Sequence, residues 1–278
     1  GRTFQVRFDK IVSAPEVTSD LVAVFESAEA KVFGNDNQLK ITTKYKVDEE
    51  GTAIDLEIYE KLYAGLQAYL PAGISYNGFV NGSDSKTVGI MSSIKVGPTI
   101  ADDIKKNSYL AVFGSLIVVF LYILLRFRKW QFSLGAVAAV FHDVLIVLGI
   151  FSLTYSIMPF SMEINQAFIA AILTVIGYSL NDTVVVFDRI RENAAVHKSM
   201  EYSAMINRSI NDTLSRTVIT SGTTLFVVAV LFIFGGEVLK GFSFALIMGI
   251  LIGTYSSIFV ASSFVVDLAK NKTNHAKS

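Results

Sequence analysis

The chain has 278 residues, 52% of them hydrophobic and only 17% charged, and its mean hydropathy of +0.50 lies outside the range of ordinary soluble domains. Zero cysteines exclude disulfide frameworks, thiolate metal sites and a cysteine nucleophile, while three histidines, His142, His197 and His275, are too few and too scattered for a zinc site. The 24 basic and 24 acidic residues cancel, but residues 1–107 hold 12 basic against 15 acidic and residues 108–278 hold 12 against 9, so a mildly acidic front joins a mildly basic back.

No apolar run of spanning length precedes Ser108, so residues 1–107 are expected to form a water-exposed module, with a boundary near Gly97-Pro98. Thr3–Phe8, Leu39–Val47 and Thr87–Val96 alternate with the period of half-buried strands. Pro15–Ala28 places Val17, Leu21, Val24, Phe25 and Ala28 at helical spacing. Thr52–Leu70 does the same with Ile54, Ile58, Leu62, Leu66 and Leu70; Thr52 is its expected cap and Pro71-Ala72-Gly73 its stop. The order strand, helix, strand, helix, strand, strand predicts a small α+β sandwich, ferredoxin-like and of split-βαβ type. Asp48-Glu49-Glu50 reads as a solvated loop.

Residues 108–266 hold five apolar segments, at about 108–125, 132–153, 164–187, 217–234 and 241–266, and each is long enough to cross about 30 Å of hydrocarbon. Eleven of the 12 basic residues after Ser108 fall in the first and third connections or in the tail 267–278, and only Lys240 lies on the other side. The positive-inside rule assigns that basic side, with the C-terminus, to the cytoplasm, and so puts the front module outside. Export of that module requires a preceding span or a removed leader. Nothing near the N-terminus reads as a leader, and Gly1-Arg2-Thr3 lacks an initiating Met, so a missing first span is the expectation. Residues 188–216, with Ile190, Ala194, Ala195, Met200, Met205 and Ile210 among charges, are expected to form amphipathic helical structure along the cytoplasmic surface.

Inside the spans, ionisable residues are functional candidates because a mid-helix aspartate costs about 2.5–3.5 kcal/mol on insertion scales. They are Asp143, with His142 beside it, and Asp182; Arg216 stands at the entrance to the fourth span. Other readings stand beside these. Asp143 also fits a buried carboxylate hydrogen-bonded to a Ser, Thr or Asn of a neighbouring helix, and Asp182 a helix-end residue among headgroups. His142 points about 100° away from Asp143 on a helix, as a relay member or a packing histidine. Gly177–Thr183, with Asn181 and Thr183 flanking Asp182, reads as a cavity-lining stretch, and the fourth span, from Ser215-Arg216-Thr217 to Thr224, is the candidate to face it. Gly249 and Gly253 form a small-xxx-small pattern whose expected meaning is close packing. No phosphate-binding loop or dinucleotide fingerprint occurs, and the basic residues sit where topology requires them, so neither nucleotide nor nucleic acid is expected.

Val96-Gly97-Pro98, Phe141-His142-Asp143, the long run Ile176–Asn193 through Asn181-Asp182-Thr183, Ser215-Arg216-Thr217 and Gly253-Thr254-Tyr255-Ser256-Ser257 together resemble the SecF family, the smaller half of the bacterial SecD/SecF protein-export membrane complex, within the resistance-nodulation-division superfamily. The run through Asp182 is the most specific of these. The resemblance implies a six-span half, of which five are present, paired with SecD and working with the SecYEG channel on unfolded preproteins in the inner membrane. It implies a transport component rather than an enzyme, without cofactors, driven by protons or alternatively sodium. It places the proton relay on Asp182, Arg216 and Asp143, with His142, Asn181, Thr183 and Ser215 in support. Two other classes share the membrane chemistry: a proton-coupled exporter of a lipid or small molecule, and an intramembrane aspartyl protease using both aspartates. A structural anchor explains neither aspartate.

Overall fold

The computed structural model describes residues 1–49, 51–81, 88–95, 98–155 and 157–275, with 98–101, 237, 238 and 269–275 described by backbone alone. Glu50, Thr87, Val96, Gly97 and Lys277, which figured in the sequence reading, lie outside these residues. The chain divides into two compact units, Gly1–Lys106 with Met158–Ser161, and Asn107–Ile157 with Met162–Ser278.

In the first unit the order is β1 (Arg2–Arg7), α1 (Ala14–Phe25), β2 (Ala28–Phe33), β3 (Asn35–Thr43), α2 (Thr52–Leu66), a short α3 (Tyr76–Val80) and β4 (Gly89–Lys95). The strands form one antiparallel sheet in the order β2-β3-β1-β4, which is the expected split-βαβ arrangement. Phe4 and Val6 alternate inward from β1 and Leu39 and Ile41 from β3, and they meet Val17, Leu21 and Phe25 of α1 and Ile58, Leu62 and Leu66 of α2 in one core. At Gly65 an added Cβ would lie 2.8 Å from Leu21 Cδ2, so the glycine permits the close approach of α1 and α2.

Three expectations are corrected here. The first helix ends at Phe25, not Ala28, because Glu26 turns left-handed at φ 62° and the chain enters β2, a strand that Ala28–Phe33 does not advertise. The helix formers Ala, Glu and Lys there are overruled by pairing with β3, so the fourth strand stands mid-module rather than at its end. The second long helix stops at Leu66 and tightens to a 3-10 turn at Gln67–Tyr69, and its cap is Gly51, with no hydrogen bond from Thr52.

The second unit contains α4 (Pro98–Phe127), α5 (Trp130–Thr154), α6 (Gln166–Val196), α7 (Tyr202–Phe234) and α8 (Glu237–His275). All five are long and apolar enough to cross a membrane. α8 packs against α5, α6 and α7, and small residues set the spacing. A Cβ at Gly249 would fall 2.1 Å from Val175 Cγ2, one at Gly253 3.0 Å from Ser179 Cβ, and one at Gly135 2.9 Å from the Ala261 carbonyl. No separate surface helix occupies 188–216. Instead α6 and α7 continue through that stretch and turn at His197–Glu201, held by Arg189 to Asp212 at 2.9 Å and by Asn193 donating to Ser209 at 2.9 Å. Of the apolar residues that suggested amphipathic structure, Ile190 and Met205 are buried in this hairpin, while Ala195 and Met200 are exposed.

Candidate functional site

The buried polar groups of the bundle converge on α6. A helix brings residues three and four apart onto one face, and Ser179, Asp182 and Thr183 are all buried there. The helix begins at a side-chain cap, Asn165 accepting from the Phe168 N–H at 3.0 Å, and continues to Val196, so Asp182 stands well inside it. At 3% exposure its side chain faces the interior of the bundle.

Asp182 Oδ2 accepts from Ser221 Oγ of α7 at 3.2 Å, so the fourth predicted span does face the polar stretch of the third. Thr254 Oγ1 of α8 lies 2.7 Å from Ser221 Oγ and 2.7 Å from the Ile250 carbonyl. A hydroxyl has one hydrogen, so Thr254 donates to one of these at a time. When Asp182 is ionised, Thr254 donates to Ser221 and Ser221 to the carboxylate. When Asp182 is protonated, the chain reverses: the acid donates to Ser221, Ser221 to Thr254, and Thr254 to the Ile250 carbonyl. Both charge states are satisfied by rotating hydrogens alone.

Asp143, on α5, is 1% exposed. Its Oδ2 accepts from Ser179 Oγ of α6 at 2.6 Å, which is the hydrogen bond to a neighbouring helix anticipated for it, and Ser256 of α8 interacts with the same carboxylate. His142 Nδ1 lies 3.1 Å from Asp143 Oδ1, so the two side chains meet despite their divergent directions on the helix. The imidazole is 34% exposed and leads from the buried carboxylate to the bundle surface. Beside this cluster Thr183 donates to Ser257 at 3.1 Å, and Ser257 lies 3.0 Å from the Ser179 carbonyl.

Arg216 is exposed and makes no ion pair with Asp182, although it is near enough to act on that carboxylate through space. It precedes Ser221 by five positions, about 7.5 Å of helical rise. Next to it, buried Thr217 has a hydroxyl with no partner among the described residues, and so does Tyr178 on α6. Asn181 and Ser215 are exposed and join neither cluster. The sequence reading missed the roles of Ser179, Ser221 and Thr254. Ser179 and Ser221 lie in the two polar stretches expected to face each other, and Thr254 in Gly253–Ser257, but such a stretch marks buried polar groups without naming their partners. No group of three His, Asp or Glu among the described residues is placed to hold a metal ion.

Residues 79–271 match the family model described as protein export membrane protein SecD/SecF, C-terminal. The chain is 64% identical over 173 residues to the protein translocase subunit SecF of Rhodothermus marinus, covering 62% of this chain and 56% of that protein. It is 42% identical over 274 residues to the SecF subunit of Thermodesulfovibrio yellowstonii, covering 98% of this chain and 82% of that protein. The crystal structure of SecDF from Thermus thermophilus, a translocon-associated membrane protein, superposes with a TM-score of 0.75 at 34% identity, over 97% of this chain and 33% of that one.

Proposed function

We infer the function from kinship: this chain belongs to the SecD/SecF family of protein-export membrane proteins, and it acts as a SecF-type subunit of a protein translocase in the bacterial inner membrane. SecD is its partner, since relatives such as the SecDF of Thermus thermophilus carry both names in one polypeptide. The complex works beside the SecYEG channel on unfolded preproteins, with the sheet module outside and the basic connections in the cytoplasm, as the distribution of basic residues directs.

Protons drive it through Asp182. One observation carries this reading: the hydroxyl chain from Asp182 through Ser221 to Thr254 accommodates the carboxylate with and without its proton. Burial disfavours the ionised form of a carboxylate, and an adjacent cation restores it. Asp182 therefore binds a proton while Ser221 alone holds it, and releases the proton when Arg216 moves into ion-pair distance. Each charge crossing the field is worth about 2.3 kcal/mol per 100 mV, enough to bias a two-state equilibrium between helix packings. Asp143 and His142 form a second polar cluster that positions α6 through Ser179.

A protease dyad needs two carboxylates about 3 Å apart sharing a proton. Asp143 and Asp182 instead bond hydroxyls on α6 and α7 respectively, which speaks against that chemistry. The test is preprotein translocation into vesicles under an imposed proton gradient. Asp182→Asn is expected to assemble with SecD and to lose the gradient-dependent stimulation; stimulation at the wild-type level would refute the assignment.

A further inference from the structure

At the end of the bundle where the two basic connections meet, Phe127, Lys129, Phe132, Arg191 and Tyr202 line an open cavity of about 270 Å³. Its floor is aromatic, with Phe127 and Phe132 stacked at 5.3 Å and Phe187 set edge-on to Phe132 at 4.9 Å. Its rim is cationic. Arg191 lies over the Phe127 ring at 5.5 Å and contacts Asp188 at 2.8 Å, while Arg126 lies over the same ring at 5.7 Å and contacts Asp188 at 2.9 Å. One carboxylate thus serves two guanidinium groups, and Lys129 and its neighbour Arg128 have no ion pair among the described residues. Tyr202 adds a hydroxyl with no hydrogen bond among them.

The surroundings are those of a membrane interface. Trp130, the chain's one tryptophan, is 47% exposed beside Lys129, and Leu125 on α4 is 79% exposed just above the turn. A surplus of positive charge over an aromatic floor, bordered by exposed apolar residues, fits a phosphate that carries acyl chains. The volume lies just below the range of about 300–1,000 Å³ usual for small-molecule sites, so it takes a headgroup and leaves the chains along the helices.

We propose that this cavity binds the headgroup of an anionic phospholipid, with its phosphate between Lys129, Arg191 and the Tyr202 hydroxyl and its chains beside Leu125 and Trp130. The lipid would brace the α4–α5 turn against the α6–α7 hairpin. This goes beyond the transport reading and does not depend on proton coupling.

Trp130 supplies the probe. The protein is reconstituted in phosphatidylcholine vesicles containing either brominated phosphatidylglycerol or brominated phosphatidylcholine, and the Trp130 signal is taken as the difference from Trp130→Phe. Phosphatidylglycerol is expected to quench at lower mole fraction than phosphatidylcholine, and Lys129→Gln to raise the fraction required about fivefold. Arg128→Gln removes the same charge one residue outside the cavity and is expected to have the smaller effect. Equal quenching by the two lipids, or equal losses in the two variants, would overturn the site. Erasure of the preference by soluble glycerol phosphate at constant ionic strength would overturn the lipid as its occupant.

Discussion

Ser179 and Ser221 decide how the two aspartates are held, and each is testable alone. Removing a hydroxyl that donates to a buried carboxylate leaves that oxygen unsatisfied, at about 1–3 kcal/mol. Ser179→Ala is therefore expected to lower the unfolding stability of the purified protein by that amount, because Asp143 Oδ2 loses its 2.6 Å bond. Ser221→Ala is expected to slow proton movement as well, since it cuts the chain between Asp182 and Thr254; a variant with unchanged flux would remove the hydroxyls from the mechanism. In the sheet module, Tyr69 donates to Asp20 at 2.6 Å, and this bond to a carboxylate pushes its phenol up to about 12 from 10.0. The bond stabilises the fold below pH 10 and is lost as pH rises toward 12. A tyrosinate difference titration between wild type and Tyr69→Phe should therefore show one phenol ionising near pH 12; a midpoint near 10 would contradict the contact.

Between elements, the contact of α6 with α8 is set by two glycines. Gly249→Val would drive a branched side chain into Val175, whose Cγ2 lies 2.1 Å from the position of even a Cβ, and overpacking of this kind costs about 1–3 kcal/mol. The expected result is a lower thermal midpoint or loss of folded yield, while substitution at Gly114, where nothing lies within 4 Å of an added Cβ, should be tolerated. The small-xxx-small pattern made this packing legible in the sequence, though not which helix α8 would meet. Likewise the alternation in β1 and β3 and the stripe of α2 could be read directly, because each buries one face. β2 could not be, because Ala28-Glu29-Ala30-Lys31 has helical composition and becomes a strand only by pairing with β3. The α6–α7 hairpin was hidden for a similar reason: charges at Arg189 and Asp212 looked like the end of the spans, whereas they pair with each other as the helices run on. At the site, the aspartates stood out by their cost in an apolar run. Their partners did not, since a serine within a helix gives no indication of which carboxylate it faces.

For the molecule as a whole, the division of labour follows from composition. The sheet module closes its own core of Phe4, Leu21, Ile41 and Leu62, whereas the helical unit leaves Phe113, Leu125, Phe226 and Phe234 exposed, as lipid-facing positions require. Within that unit the small residues of α8 let three helices approach a shared polar interior, and it is there that two carboxylates are buried without a lysine or arginine in ion-pair contact. Relatives of the SecDF type carry both halves in one polypeptide, and the proton coupling proposed for this chain rests on Asp182. The direct measurement is proton flux in proteoliposomes containing the protein with SecD, comparing wild type with Asp182→Asn under the same imposed gradient. Loss of flux with assembly intact is the predicted result. Flux equal to wild type would contradict the account and leave Asp182 a structural partner of Ser221.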